Sequence, residues 1–117
     1  MEKRNELLEV TFELALEIIE YTEKLEDTRK YVLAKQLLKA GTSIGANSNE
    51  AQSAESRADF IHKLKIADKE ARETRYWVSL CQRAKKYPDP SNKILELLLY
   101  AEKLLNRILS SSSRRSN

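Results

Sequence analysis

The sequence predicts an all-α fold, an antiparallel up-down-up-down four-helix bundle, and three observations lead there. Apolar residues repeat at alternating steps of three and four along almost the whole chain. Only two glycines and two prolines interrupt 117 residues, so the elements are long. The connections between the periodic segments are short, which sets consecutive helices antiparallel.

The first helix is expected from about Arg4 to Glu26. Leu8, Phe12, Ala15, Ile19 and Thr22 make one row, and Leu7, Leu14, Ile18, Tyr21 and Leu25 make a second beside it. Together they form an apolar face wider than the seam of a coiled coil. The second helix, about Thr28 to Ser53, opens on a threonine suited to N-capping and contains Gly41 and Gly45. Each glycine costs up to about 1 kcal/mol relative to alanine inside a helix. Either the helix breaks there into a helix-turn-helix or close packing compensates. A continuous helix is the preferred reading, because Ala34, Gly41, Gly45, Ser48 and Ala51 lie near one face, as a close helical neighbour requires.

Ser56 with Asp59 three residues on is a capping signal for a third helix, about Arg57 to Lys86. Its core row is Phe60, Leu64, Ala67, Ala71, Thr74, Val78 and Cys81. Ile66, Trp77 and Ala84 fall roughly 100° away and form a second apolar edge, a candidate oligomer contact. Pro88-Asp-Pro-Ser91 starts the fourth helix, with Asp89 as N-cap and Pro90 at the first helical position. That helix repeats Ile94, Leu98, Ala101, Leu105 and Ile108. Residues 1–109 are therefore read as the bundle domain and 110–117 as a disordered Ser/Arg tail. The first, third and fourth helices carry more apolar arc than one core consumes, which favours a homo-oligomer.

Composition narrows the function classes. No apolar run approaches the roughly 20 residues of a membrane span, and the N-terminus lacks the apolar stretch of a signal peptide, so a cytoplasmic protein with no membrane partner is expected. Cys81 has no partner within the chain, which excludes an internal disulfide. The net charge of +3 hides an asymmetry: residues 1–27 hold nine acids against three bases, and the remainder nine acids against eighteen bases. Either the basic part waits for an external polyanion, or it meets the acidic first helix within the bundle or a neighbouring subunit.

Catalysis finds little support. His62 and Cys81, the single members of their kinds, stand nineteen residues apart on one helix, roughly 28 Å, and form no dyad within a subunit. A ferritin-like di-iron site needs two Glu-x-x-His pairs, a zinc site more Cys and His, and a nucleotide site a glycine loop; none is present. The expectation is no enzyme, no cofactor, no metal and no small-molecule substrate. Asn47, Glu50, Glu70, Arg72 and Glu73 are candidate polar contacts that fix helix register, with pairing of the glutamates to Arg72, Arg75 or Asn47. Lys65, Lys69, Arg72, Tyr76 and Arg83 form a basic stripe with one aromatic ring, opposite the core row. Such a stripe suits a phosphate backbone, with Tyr76 as a stacking surface. It equally suits a solvated helix face or an intersubunit salt bridge, and no base-reading motif accompanies it.

The strings Lys35-Gln-Leu-Leu, Thr42-Ser-Ile-Gly-Ala-Asn, Glu50-Ala-Gln, Asp59-Phe-Ile-His-Lys-Leu and Lys69-Glu-Ala-Arg-Glu-Thr-Arg-Tyr-Trp resemble the bacterial 23S rRNA intervening-sequence proteins. The resemblance extends from about Phe12 to Leu105 and departs at Ser48-Asn49, where many relatives carry a more apolar pair. It implies a small all-helical subunit in a ring-like homopentamer. It suggests RNA as a partner, and it supplies no catalytic residues. The expected protein is a non-enzymatic homo-oligomer that binds RNA or a ribonucleoprotein through the basic stripe. The alternative is a protein-interaction scaffold whose charge asymmetry serves self-assembly.

Overall fold

A computed structural model of the chain describes residues 4–116, with side chains through Ser112. Four helices follow one another, α1 Glu6–Asp27, α2 Tyr31–Ala51, α3 Arg57–Arg83 and α4 Asn92–Ser116, and no strand occurs among the described residues. Each helix packs on its two sequence neighbours, α4 closes back on α1, and the backbones of the diagonal pairs do not approach. The result is the expected four-helix bundle, 48 Å along its longest axis.

The core shows which periodic rows point inward. Leu7, Leu14, Ile18, Tyr21 and Leu25 of α1 are buried, with Leu37 and Ile44 of α2, Leu64 and Val78 of α3, and Ile94, Leu98 and Leu105 of α4. The other α1 row is only partly covered: Thr22 is buried and Leu8 and Ala15 are half-buried, whereas Phe12 is 62% exposed and Ile19 is also open to solvent. Of the two candidate rows, α2 covers the one that faces its glycines.

α2 runs unbroken through Gly41 and Gly45. A Cβ on Gly41 would stand 2.8 Å from Ile18 Cγ2, and one on Gly45 would stand 3.2 Å from Thr11 Oγ1. Both glycines therefore mark the close crossing of α1 and α2. Buried hydroxyls make no demand on that packing, because each donates to its own helix: Thr11 to Leu7 O at 2.7 Å, Ser48 to Ile44 O at 2.8 Å and Thr74 to Glu70 O at 2.7 Å.

The helix ends depart from expectation in three places. Thr28 closes α1 rather than opening α2; its hydroxyl donates to Leu25 O at 3.0 Å, and Arg29 then takes a left-handed φ of 63°. The N-cap of α4 is Ser91, which accepts from Ile94 N at 3.2 Å, rather than Asp89. With the cap at Ser91, Pro90 precedes the helix and is buried. Lastly α4 continues past Leu109 to Ser116, since no glycine or proline stops it. Arg57 Nη2 donates to the carbonyl of Ser112 at 3.1 Å and fixes that last stretch against α3. Residues 1–3 and 117 of the two expected spans lie outside the described residues. Ser56 caps α3 as expected, accepting from Asp59 N at 3.0 Å.

Tyr21 ties α1 to the α3–α4 connection by donating to Pro88 O at 2.5 Å. Burial, then the neighbouring Cys81, pushes the Tyr21 phenol well above its ordinary value of 10.0. A pKa raised in the folded state means that the unfolded chain loses the proton first. Stability from this group is thus complete below about pH 10 and declines above it. Tyr21→Phe is expected to flatten that decline, measured as denaturation midpoints at rising pH between about 8 and 11. Equal slopes in both proteins would refute the assignment.

Candidate nucleic-acid interface

The third helix carries its charge on the side turned away from the core. With Leu64, Ala67, Ala71, Thr74, Val78 and Cys81 buried, 100° per residue places Lys65, Lys69, Arg72, Tyr76 and Arg83 within about 60° of arc on the opposite side. All five are exposed. The structure thus brings the whole predicted stripe together.

Two of its members are held from the side. Arg72 Nε lies 3.2 Å from Asp68 Oδ2, one turn back, yet its side chain remains 81% exposed. An i,i+4 pair this open is worth only about 0.3–0.5 kcal/mol, so the guanidinium is available to a phosphate. The Tyr76 ring meets Trp77 edge-on, 5.2 Å between centroids, and Trp77 Nε1 donates to Glu73 Oε1 at 3.4 Å. This chain of contacts orients the Tyr76 ring, which stays 58% exposed.

Beside the stripe a groove of about 480 Å³ runs between α3 and α4, lined by Asp68, Arg72, Arg75, Glu102, Lys103 and Asn106. Its floor is a bidentate pair, with Arg75 Nε and Nη2 donating to the two oxygens of Glu102 at 2.6 Å each. That hydrogen bond raises the Arg75 pKa above an already high ordinary value. The pair locks α3 to α4 and leaves Arg72 and Lys103 as the cations at the groove's edge.

The other candidates resolve differently. Glu50 pairs with Lys63 across α2 and α3 at 3.3 Å, and Asn47 Nδ2 donates to Ser43 O within its own helix at 2.9 Å. Glu70 offers its carbonyl to Thr74, and Glu73 serves Trp77. The expected pairing of the glutamates with Arg72, Arg75 or Asn47 does not form. Glu50 lies opposite Lys63, about 10 Å along the axis from Glu70, and the two arginines turn toward Asp68 and Glu102. Ile66, Trp77 and Ala84 are half-buried on the flank of α3 toward α2, where Trp77 packs against the core. The more open apolar surface is Phe12, Leu16 and Ile19 on α1.

His62 is exposed and Cys81 is fully buried. Burial raises the Cys81 thiol pKa, which disfavours the reactive thiolate. Among the described residues no group of three or more His, Cys, Asp or Glu is placed to hold a metal ion, and no helix is long and apolar enough to cross a membrane.

Comparison with known proteins adds two findings. The family described as 23S rRNA-intervening sequence protein matches residues 3–109. A crystal structure at 1.70 Å of a protein of unknown function from the S23 ribosomal protein family of Bacteroides thetaiotaomicron is similar in sequence and fold. It is 39% identical with a TM-score of 0.79, over 88% of this chain and 97% of that one. No curated protein matches the chain.

Proposed function

This chain belongs to the 23S rRNA-intervening sequence protein family, and from that premise we propose that it is a non-enzymatic, homo-oligomeric bundle that binds RNA through the outer face of α3. The observation that carries the reading is the exposed arc of Lys65, Lys69, Arg72, Tyr76 and Arg83, four cations and one oriented ring on a rigid helix. No base-reading motif accompanies this row of cations, so recognition follows charge and shape. The family's name carries an rRNA context, which supports RNA over other polyanions.

Reversal of Lys65, Lys69 and Arg72 to glutamate is expected to weaken RNA binding at least ~10-fold and to flatten its salt dependence by about 0.9 per lost contact. Fluorescence anisotropy of a labelled RNA across a salt series measures both. Absence of affinity at low salt, or an unchanged affinity in the variant, defeats the proposal.

One observation favours a second reading beside it. The exposed apolar stripe of Phe12, Leu16 and Ile19 on α1 supports self-assembly, with a pentamer the form that the resemblance implies.

A further inference from the structure

The antiparallel topology brings the α1–α2 connection, Thr28 to Lys30, and the α3–α4 connection, Ala84 to Ser91, to the same end of the bundle. They touch: Lys30 Nζ lies over the Tyr87 ring, 4.9 Å from its centroid. From Thr28 to Lys30 and from Ala84 to Ser91 the sequence places four bases, Arg29, Lys30, Lys85 and Lys86, against one acid, Asp89. The opposite end contrasts with it, because its connection, Gln52 to Ser56, holds Glu55 and no base.

These cations are not spent within the fold. Arg29, Lys85 and Lys86 are exposed, and none forms an ion pair among the described residues. Arg29 and Lys86 also hold left-handed backbone, φ 63° and 69°, the region that glycine or asparagine usually fills. Tyr31 stands next to the cluster with its ring 59% exposed. Arg83, the last residue of α3, connects this end to the α3 stripe.

We infer that the loop end of the bundle, built from Arg29, Lys30, Lys85 and Lys86 with Tyr31 beside them, is a second RNA contact continuous with the α3 face. The inference rests on the RNA-binding reading above and adds a place where the strand turns over the end of the molecule. Lys30 and Tyr87, each half-buried, hold the two connections together as one surface, and the three free cations meet phosphates. Tyr31 supplies the stacking plane for an unpaired base.

The test compares the full-length protein with a variant carrying Arg29→Asp, Lys85→Glu and Lys86→Asp. Aspartate is chosen at the two left-handed positions because it tolerates that backbone better than glutamate. The probe is a labelled RNA hairpin with a single-stranded overhang, titrated across a salt series. Affinity is expected to fall at least ~10-fold, with a salt slope shallower by about 3. Affinity within about twofold of the parent, while reversal of Lys65, Lys69 and Arg72 still abolishes binding, overturns the inference and leaves the RNA reading intact. A parent protein with no RNA affinity overturns both. Should the triple variant melt early, Arg29→Asn with Lys86→Asn is read in its place: a slope shallower by about 2 supports the contact, and an unchanged slope removes it.

Discussion

Replacing Gly41 with valine is expected to destabilise the bundle by about 3 kcal/mol or more, lowering the melting temperature by over ~10 °C. The added Cβ alone would stand 2.8 and 2.9 Å from Ile18 Cγ2 and Cγ1. Ile18 cannot turn aside, since it is fully buried and a β-branched residue in a helix has one strongly preferred rotamer. The helices must separate instead, which loosens the α1–α2 contact along its length. Gly45→Ala offers the contrast: its Cβ meets Thr11 Oγ1 at 3.2 Å, and a gain of about 1 kcal/mol in helix propensity offsets the squeeze. That variant should be near neutral. Ile18→Ala alone costs about 2–5 kcal/mol by leaving a cavity. Combined with Gly41→Val it should cost less than the sum of the two, by about 0.5–3 kcal/mol, as the valine fills the space. Denaturant unfolding of the four proteins checks the cycle, and additive costs would show that Ile18 is not what Gly41 accommodates.

The same crossing explains how much of the fold was legible in the sequence. Four periodic segments and three short breaks are local signals, and all four helices form where they indicate. Ser56 is a local signal too, because the capping hydroxyl and the amide that it satisfies are three residues apart. The choice at Thr28 is just as local in its contacts but ambiguous in the sequence. A threonine there can open α2 or close α1, and the geometry of Arg29 and the Leu25 carbonyl decides for closure. For α4, spacing points to Asp89 as the cap, and the hydrogen bond from Ile94 N to Ser91 Oγ places the cap two residues later.

The site divides along similar lines. A stripe on one helix is readable from spacing, so Lys65 to Arg83 appears on one face as expected. Surfaces assembled from two elements are not readable that way. Arg29 and Lys86 are 57 positions apart in sequence and share an end only because the helices alternate direction. Glu102, the partner of Arg75, lies on a different helix from every glutamate that spacing brought forward. The two apolar rows of α1 differ little in hydrophobicity, so neither announces itself as the core. What separates them is Gly41 and Gly45, which draw the Ile18 and Thr11 side against α2 and turn Phe12 and Ile19 outward.

Phe12→Glu together with Ile19→Glu is expected to convert the proposed oligomer into monomers, read as particle mass by light scattering, with the helical signal retained. Each apolar side chain buried in an interface contributes about 1.5–3 kcal/mol, and a carboxylate in the same place must be desolvated without a partner. The charges around the stripe also select the kind of contact. Glu9, Glu13, Glu20 and Glu23 are exposed on the same helix, so a two-fold pairing of α1 with itself would set these acids against each other. A head-to-tail contact avoids the repulsion by laying the acidic helix on the basic remainder of a neighbour, and such contacts close into rings when the rotation permits. This places a demand on the α3 face, which cannot be covered by a neighbour and hold RNA at once. The glutamate reversal of Lys65, Lys69 and Arg72 should therefore lose RNA while keeping the parent mass. Loss of mass in that variant would assign the basic stripe to assembly, and a parent protein that is monomeric at micromolar concentration would remove assembly from the proposal altogether.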